Sequence, residues 1–277
     1  MTIKKVGILY HPMITAARTL ADELKGFLTA RGVSVWLCSA WEGEQAQALV
    51  KGTGLILTIG GDGTILRAAQ VAISAQIPIT GINLGRLGFM TELDADEAEA
   101  QLPALLEGKG WVDERAMLEV ELQPGEPSRI LYALNDIVVA RGGVARVVYV
   151  EASVDGEPLT TYKGDGVIVA TATGSTGYSL AGGGPILHPR AKEFLLLPIM
   201  PHLSLSHPLV LPPTALVRLR LTTTHQATLS IDGHINLPLS SGAVIAVKHS
   251  SKIGRFLRIH PEASFYSSLE QKLKGKQ

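Results

Sequence analysis

Apolar residues in about the first hundred positions alternate between short continuous runs and the wider spacing of a helix face. Four of the runs have the length of buried strands. They are Val6–Tyr10, Val33–Leu37, Leu55–Ile59 and Ile77–Ile82. Between them, apolar residues recur at helical spacing from Leu20 to Leu28, and further helical patterns cover Thr64–Ser74 and Asp94–Glu107. Strands separated by helices predict parallel pairing and an open α/β sheet.

The pattern changes near Lys109, and from there to about His260 many short runs alternate apolar and polar residues. In Val217–Leu221 two arginines separate three apolar residues, and Val147–Val154 has the same period of two. This alternation is typical of strands with one buried face. Turn dipeptides such as Asp232-Gly233 punctuate the runs, so we expect a mostly antiparallel, sandwich-like region.

Together these patterns predict two domains of different class. An α/β domain of residues 1–108 precedes a β-rich domain of residues 109–260. The tail, about residues 261–277, is predicted to be a helix, since Phe265, Leu269 and Leu273 share one helix face. A lone amphipathic helix is marginally stable in water, so we expect this one to dock back on the first domain.

Composition narrows the classes of protein. The chain has 277 residues with 25 basic and 25 acidic side chains, so its formal net charge is zero. A zero balance gives no general attraction to nucleic acid or to an anionic membrane. The single cysteine, Cys38, excludes an intrachain disulfide and a thiolate zinc site. No apolar run approaches the roughly 20 residues that span a bilayer. We therefore expect a cytoplasmic protein with no structural metal and with neither nucleic acid nor membrane as a partner.

A glycine loop follows the strand Leu55–Ile59 and opens the next helix; it consists of Gly60, Gly61, Asp62, Gly63 and Thr64. Glycines let the backbone approach an anion, and a helix N-terminus offers free N–H groups and positive potential, so the loop suits a polyphosphate. A carboxylate there repels phosphate, which points to another use for Asp62: holding Mg²⁺ or accepting a proton from an attacking hydroxyl. The alternative is a plain strand–helix turn with Asp62 or Thr64 as its N-cap.

A second loop, Thr171–Leu180, interleaves hydroxyl side chains with glycines and follows the apolar strand Val167–Ala170. Hydroxyls at this density suit sugar hydroxyls, phosphates and base edges. Gly182–Gly184 then allow a ligand to come close to the backbone. The alternative is a flexible loop without a ligand.

The two loops together resemble the NAD kinase family, and the likeness extends over most of the chain. Gly60–Thr64 matches the GGDGT of that family, and Gly81–Phe89 is similar to its GIN-x-G-x-LGF segment. Asp165–Tyr178 resembles its DG…TPTGSTAY stretch, followed by its GGPIL at Gly182–Leu187. GGDGT also occurs in lipid kinases and phosphofructokinases, so the second stretch is the specific part.

Three residues depart from the family pattern. Ala172 stands in place of a proline and Gly177 in place of an alanine, and both changes loosen the backbone. Asp136, in Asn135-Asp136, replaces the usual glutamate. It keeps the charge but is one methylene shorter, so a ligand contact there needs a small shift or a bridging water.

The resemblance implies an enzyme that transfers the terminal phosphoryl group of ATP to the 2′-hydroxyl of the adenosine ribose of NAD, giving NADP. Asp62 is then the catalytic residue, as general base. Asn135 and Asp136 are expected at the adenine and ribose, and Asp165 at the nicotinamide end, in the same chain or from a neighbouring subunit. The full set of expected binding residues is Gly60, Gly61, Gly63, Thr64, Arg67, Asn135, Asp136, Asp165, Thr173, Ser175, Thr176 and Tyr178.

The same resemblance implies Mg²⁺ or another divalent metal with ATP, with polyphosphate as the other candidate donor, and a homodimer or homotetramer. Two readings compete with it. A lipid kinase of the diacylglycerol type shares GGDGT. A phosphofructokinase shares it too, but is the weaker alternative. A dinucleotide-binding module without activity is the other, although a pure binder has no use for a base in a phosphate loop.

Overall fold

The computed structural model describes residues 3–85, 88–123, 129–143, 146–202, 205–223, 225–262 and 265–274. Its strands are β1 (Lys5–Tyr10), β2 (Ser34–Ser39), β3 (Leu55–Ile59), β4 (Ile79–Asn83), β5 (Leu93–Asp94), β6 (Trp111–Gln123), β7 (Arg129–Ala133), β8 (Asp136–Arg141), β9 (Val148–Val154), β10 (Glu157–Gly164), β11 (Gly166–Ala170), β12 (Phe194–Ile199), β13 (Leu209–Leu211), β14 (Leu216–Leu221), β15 (Ala227–Ile231), β16 (Ile235–Leu239) and β17 (Val244–Arg258). Its helices are α1 (Thr15–Thr29), α2 (Gly43–Leu49), α3 (Asp62–Ala72), α4 (Ala98–Leu106), α5 (Tyr178–Ala181) and α6 (Phe265–Lys274), with a 3₁₀ turn at Gly174–Thr176.

The chain divides into two compact units. The first comprises Met1–Glu114 and Ile253–Gln277, and the second comprises Arg115–Lys252. Strand β17 therefore begins in the second unit and ends in the first. The tail containing α6 belongs to the first unit, as its amphipathic pattern predicted.

The first unit contains the predicted parallel sheet. Its strands run in the order β2-β1-β3-β4, all parallel, and Phe256 near the end of β17 pairs in parallel with Ile79 of β4. Strands β1, β3 and β4 are almost entirely buried, which explains why they read as continuous apolar runs. The core includes Leu24 and Leu28 of α1 beneath the sheet and Leu102 and Leu105 of α4.

The second unit is β-rich and antiparallel, as predicted. One sheet contains the strands β10-β9-β14 and the first part of β17, and the other has the order β13-β12-β11-β8-β15-β16. Strand β14 shows the predicted alternation, because Val217, Leu219 and Leu221 are buried while the two arginines between them are exposed. These residues join the core of the unit together with Val167 and Val169 of β11.

Two helices differ from the expectation. The helix predicted over Asp94–Glu107 begins only at Ala98, because Leu93–Asp94 pairs with β4 as a short strand. The Asp94 N–H donates to Glu97 Oε1 at 2.8 Å, so the acidic stretch forms a turn before the helix. Helix α2 was not predicted, since Ala46 is its only buried residue and it has no apolar stripe to recognise.

Candidate active site

The glycine loop lies at the carboxyl edge of the parallel sheet in the first unit. The chain leaves β1 toward β2 on one side of the sheet and later reaches β3 and β4 on the other, so the strand order reverses between β1 and β3. The crevice at such a reversal is where open α/β sheets bind ligands. His11 follows β1 and donates its N–H to the Ile59 carbonyl at 3.0 Å, which places Gly60 directly beside it.

Position 60 requires a glycine for two reasons. Its φ of +148° is one that other residues rarely adopt. A Cβ there would also strike the Oγ1 of Thr64 and lie 3.2 Å from the Cβ of His11. The loop is thus tightly folded on its own first helical turn. Gly61 and Gly63 are exposed, and Thr64 is buried, with an Oγ1 that has no hydrogen-bond partner among the described residues.

The Asp62 carboxylate does not cap helix α3. Gly61 occupies the N-cap position and no side-chain hydrogen bond is made there, so the interpretation of Asp62 or Thr64 as a simple N-cap is wrong. Instead, Asp62 accepts hydrogen bonds from two successive backbone N–H groups, that of Phe89 to Oδ2 at 2.8 Å and that of Met90 to Oδ1 at 3.0 Å. Two distant motifs of the sequence therefore meet at one carboxylate.

Position 88 has no room for a side chain because the carboxylate of Asp62 lies against it. A Cβ added at Gly88 would collide with the carboxylate of Asp62. The Gly88 N–H is itself held by Thr91 Oγ1 at 3.1 Å. Residues 86 and 87 of the Gly81–Phe89 motif lie outside the described residues, but its last two residues form one side of the Asp62 site.

Arg67 lies one turn further along α3. Its guanidinium carbon stands 4.1 Å from the centre of the Trp41 ring, and the ring of His11 meets Trp41 edge-on at 4.5 Å. Burial lowers the pKa of Arg67. A partly desolvated cation held by an aromatic ring beside a glycine loop is well suited to meet an anionic group. Trp41 and His11 were not among the predicted site residues, since neither belongs to a motif.

In the second unit, Asn135 and Asp136 form a turn that is fixed by Asp232. The carboxylate of Asp232 accepts three backbone N–H groups: Leu134 at 3.0 Å, Asn135 at 2.7 Å and Asp136 at 3.2 Å. The turn dipeptide Asp232-Gly233 connects β15 to β16. It is a hairpin with positive φ at both residues, and its aspartate also organises the neighbouring loop.

Asp136 is buried beside a second carboxylate. Burial, and secondly the negative charge of Asp232, raise the pKa of Asp136 to about 7. The raised pKa favours the protonated carboxyl group, which donates a hydrogen bond as well as accepting one.

The loop Thr171–Tyr178 packs against this turn. The Thr171 N–H donates to the Asn135 carbonyl at 2.8 Å, and its hydroxyl donates to the Leu134 carbonyl at 2.6 Å. The buried side-chain atoms that have no hydrogen-bond partner in the described part of the chain include Oδ1 of Asn135 and Oγ1 of Thr173. Buried acceptors and donors are unfavourable without a partner, so these two atoms are candidate contacts for a polar ligand.

The other expected residues of this loop differ in what they can contact. Ser175 is fully buried, and its hydroxyl donates to the Ala172 carbonyl at 2.7 Å and accepts the Leu187 N–H at 3.0 Å, so it supports the loop. Thr176 donates to the Thr173 carbonyl at 3.2 Å. Tyr178 is half exposed and is free to reach a ligand.

Asp165 and Tyr178 line one shallow cleft of about 370 Å³, together with Arg141. Asp165 Oδ1 lies 2.8 Å from Nε of Arg141, and both side chains are about one-third exposed. This arrangement leaves a carboxylate and a phenol facing the same space. No three His, Cys, Asp or Glu side chains are grouped as a metal site within the described ranges, and no helix there is long and apolar enough to cross a membrane.

Comparison with known proteins decides the family. The family models described as ATP-NAD kinase N-terminal domain and ATP-NAD kinase C-terminal domain match residues 28–110 and 134–259. The NAD kinase of Dehalococcoides mccartyi (strain BAV1) is 49% identical over 98% of this chain and 96% of its own length. The chain belongs to the NAD kinase family. It is therefore an enzyme that phosphorylates NAD, and the lipid-kinase, phosphofructokinase and inactive-module alternatives are set aside.

Further NAD kinases agree with this assignment. That of Chloroflexus aurantiacus (strain J-10-fl) is 38% identical over 98% of this chain and 99% of its own. Among solved structures, the yeast NADH kinase complexed with NADH matches with a TM-score of 0.88 at 26% identity, covering 99% of this chain and 88% of that one. The NAD kinase from Archaeoglobus fulgidus in complex with ATP matches with a TM-score of 0.78 at 26% identity, covering 98% of both chains. The two-domain fold predicted for the NAD kinase family is thus confirmed.

Removing the Asp232 carboxylate is expected to destabilise the protein more than removing a similar one elsewhere. Asp155 is a matched control, because it also precedes a glycine in a hairpin at positive φ but accepts only the Leu216 N–H, at 2.8 Å. We expect Asp232→Ala to lower the free energy of unfolding by about 2–4 kcal/mol and Asp155→Ala by about 1 kcal/mol, measured by urea denaturation. Equal losses of unfolding free energy in the two variants would mean that Asp232 stabilises only its own hairpin turn and not the turn at Asn135 and Asp136.

The free energy of unfolding should depend on pH through the protonation of Asp136. The pKa of its carboxyl group is raised from the ordinary value of 3.8 to about 7, so between these values the folded state holds a proton that the unfolded chain has released. The stability that Asp136 contributes therefore falls as pH rises from about 4 to 7. Asp136→Asn cannot ionise, so its stability relative to wild type should increase by more than about 1 kcal/mol between pH 5 and pH 8. The control Glu151→Gln, at an exposed position, should show no such change in urea titrations.

Proposed function

We propose that Asp62 is the general base of the phosphoryl transfer to NAD. In this reaction the 2′-hydroxyl of the adenosine ribose gives its proton to the Asp62 carboxylate while its oxygen bonds to the terminal phosphorus of ATP, and the bond to ADP breaks. The observation that carries the proposal is the fixed position of this carboxylate. Two backbone N–H groups hold it at 2.8 and 3.0 Å, at the mouth of a loop suited to phosphate. Because a carboxylate has about four acceptor sites, it keeps two for the substrate.

The phosphates of ATP are proposed to lie on the glycine loop. Gly60, Gly61, Gly63 and Thr64 place the start of the eleven-residue helix α3 at the carboxyl edge of the sheet. Its N-terminal N–H groups and dipole favour an anion there. The cation of Arg67, oriented by Trp41, lies on the same helix and supplies a further contact to the phosphates.

A divalent cation fits this site if it arrives with the nucleotide. Mg²⁺ is commonly held by one or two carboxylates plus substrate phosphates and water, so it needs no cage of protein ligands. Asp62 is the carboxylate of the loop, and the described residues offer no larger cluster of ligands beside it. When bound, the ion supplies charge neutralisation on the phosphate oxygens.

NAD is proposed to bind the β-rich domain of residues 109–260, while residues 1–108 with about 261–277 carry the donor. The unpartnered atoms of Asn135 and Thr173 support a polar ligand at that turn, with Asp136 beside them. Asp165 and Tyr178, which share one cleft, are proposed for the nicotinamide end. Thr176 borders the same loop, and Ser175 acts by holding it in shape. A homo-oligomer, a cytoplasmic location and a choice between ATP and polyphosphate stay predictions.

The role of Asp62 has a direct test. Asp62→Asn keeps the size of the side chain and removes the base, so turnover of ATP and NAD to NADP should fall by about 10²–10⁴-fold. The Michaelis constants should change far less, since the amide can still accept from one of the two N–H groups. Near-normal kcat would exclude Asp62 as the base.

Arg67 is expected to act on the donor. Arg67→Ala should raise KM for ATP by about tenfold, because a charge-assisted contact to phosphate is lost, and should leave KM for NAD unchanged. Arg31 offers a control, since its guanidinium also lies over an aromatic ring, that of Phe27 at 3.5 Å, but in the connection between α1 and β2 rather than on the helix that follows the glycine loop. Arg31→Ala should leave both constants unchanged. Equal effects of both substitutions would contradict a contact between Arg67 and ATP.

A further inference from the structure

The dipeptide that holds the proposed base is itself held from the far end of the chain. The N–H groups of Phe89 and Met90 point to Asp62, while their carbonyl oxygens point to the C-terminal segment. Arg258 Nη1 donates to the Met90 carbonyl at 2.8 Å. Lys272 Nζ, on helix α6, donates to the Phe89 carbonyl at 3.4 Å. Phe89 and Met90 are thus each hydrogen-bonded through both the backbone N–H and the backbone carbonyl.

Arg258 is itself rigidly placed. Its side chain is only 7% exposed and lies between two carboxylates that are equally buried. Nη2 lies 3.2 Å from Asp113 Oδ2, and Nη1 lies 3.3 Å from Glu92 Oε2. Glu92 is fixed in turn, because its other oxygen accepts the N–H groups of Ile259 at 2.8 Å and His260 at 2.9 Å. The guanidinium therefore has little freedom to move.

A buried ion group of this kind adds little to stability on its own. Desolvation of the charges offsets much of their attraction, and a well-packed apolar group of the same volume often stabilises a fold equally well. An apolar side chain, however, cannot donate to the Met90 carbonyl. The property that an arginine alone adds here is a fixed set of donors, one of which binds the carbonyl of Met90, the residue whose N–H binds Asp62.

We propose that Arg258 is a positioning residue for the phosphoryl transfer, acting on the carboxylate of Asp62 through the backbone of Met90, whose carbonyl it binds and whose N–H binds Asp62. The proposal rests on the proposed role of Asp62 as base. Lys272 reinforces the same dipeptide from α6 at a longer distance. Because misplacing a reacting group by about 1 Å can reduce a rate by about 100-fold, a small shift of this peptide affects the chemical step before it affects the fold.

The test uses Arg258→Lys in the full-length protein. Lysine keeps a positive charge between Asp113 and Glu92 but lacks the fork that reaches the carboxylates and the Met90 carbonyl together. The single-turnover rate of NADP formation from saturating ATP, Mg²⁺ and NAD should fall about tenfold, with both Michaelis constants within about twofold of wild type. Arg255→Lys, three residues away on the same strand and beside Glu114, is the control and should stay within twofold.

A double-mutant cycle separates positioning from general damage. If Arg258 acts through Asp62, Arg258→Lys should change the rate by less than about twofold in an Asp62→Asn background. An equal loss in both backgrounds, or no loss in wild type, overturns the proposal. Near-normal turnover of Asp62→Asn alone is a different result, since it rejects the base and not the contact to the dipeptide.

Hydrogen exchange gives a readout that needs no activity. In ¹⁵N-labelled protein, the amides of Phe89 and Met90 should exchange at least about tenfold faster in Arg258→Lys than in wild type. In Arg255→Lys they should exchange at the wild-type rate. Unchanged protection of these two amides in Arg258→Lys overturns the proposal even if its rate of turnover is reduced.

Discussion

The pair of hydrogen bonds from Phe89 and Met90 to the carboxylate of Asp62 is the interaction on which the first unit's site depends. A carboxylate beside a phosphate loop is repelled by the ligand that the loop attracts, so it stays in place only if it is held. Two successive peptide N–H groups, at 2.8 and 3.0 Å, provide that hold. They also explain Gly88, where any side chain would displace the carboxylate. The glycine loop at Gly60–Thr64 and the segment Gly88–Met90 therefore form one site around the carboxylate of Asp62.

In the second unit, too, an aspartate carboxylate accepts several backbone N–H groups, but there the carboxylate fixes the backbone. Asp232 accepts three backbone N–H groups and thereby fixes the turn at Asn135 and Asp136. Its negative charge adds to burial in raising the pKa of Asp136 to about 7, so the carboxylate that shapes the turn also favours a proton on its neighbour. Asp232 thus both shapes the turn and adds to the effect of burial on Asp136, which is proposed to contact NAD.

Much of the architecture follows from local pattern, whereas the site depends on contacts that no local pattern contains. Leu55–Ile59 was predicted with the bounds that the structure shows, because a fully buried parallel strand is a continuous apolar run. The start of α4 was misplaced, since Leu93–Asp94 is a strand only through its pairing with β4. Asp62 could be recognised from its motif, but not its partners 27 and 28 residues away. Trp41 and Arg258 lie in no recognised motif and became visible only in the fold.

Unsatisfied polar atoms connect this architecture to ligand binding. A buried donor or acceptor without a partner costs about 1–3 kcal/mol, and the second unit has such atoms on Asn135 in the turn and on Thr173 in the loop packed against it. The surrounding hydrogen bonds, from Thr171 to Leu134 and from Asp232 to the turn, prevent the loop from relaxing to satisfy them. At the proposed NAD site, a polar ligand that meets both atoms recovers this free energy without first reshaping the protein. The rigidity of the turn therefore supports the proposed NAD site, just as the fixed backbone of Phe89 and Met90 supports the proposed base in the first unit.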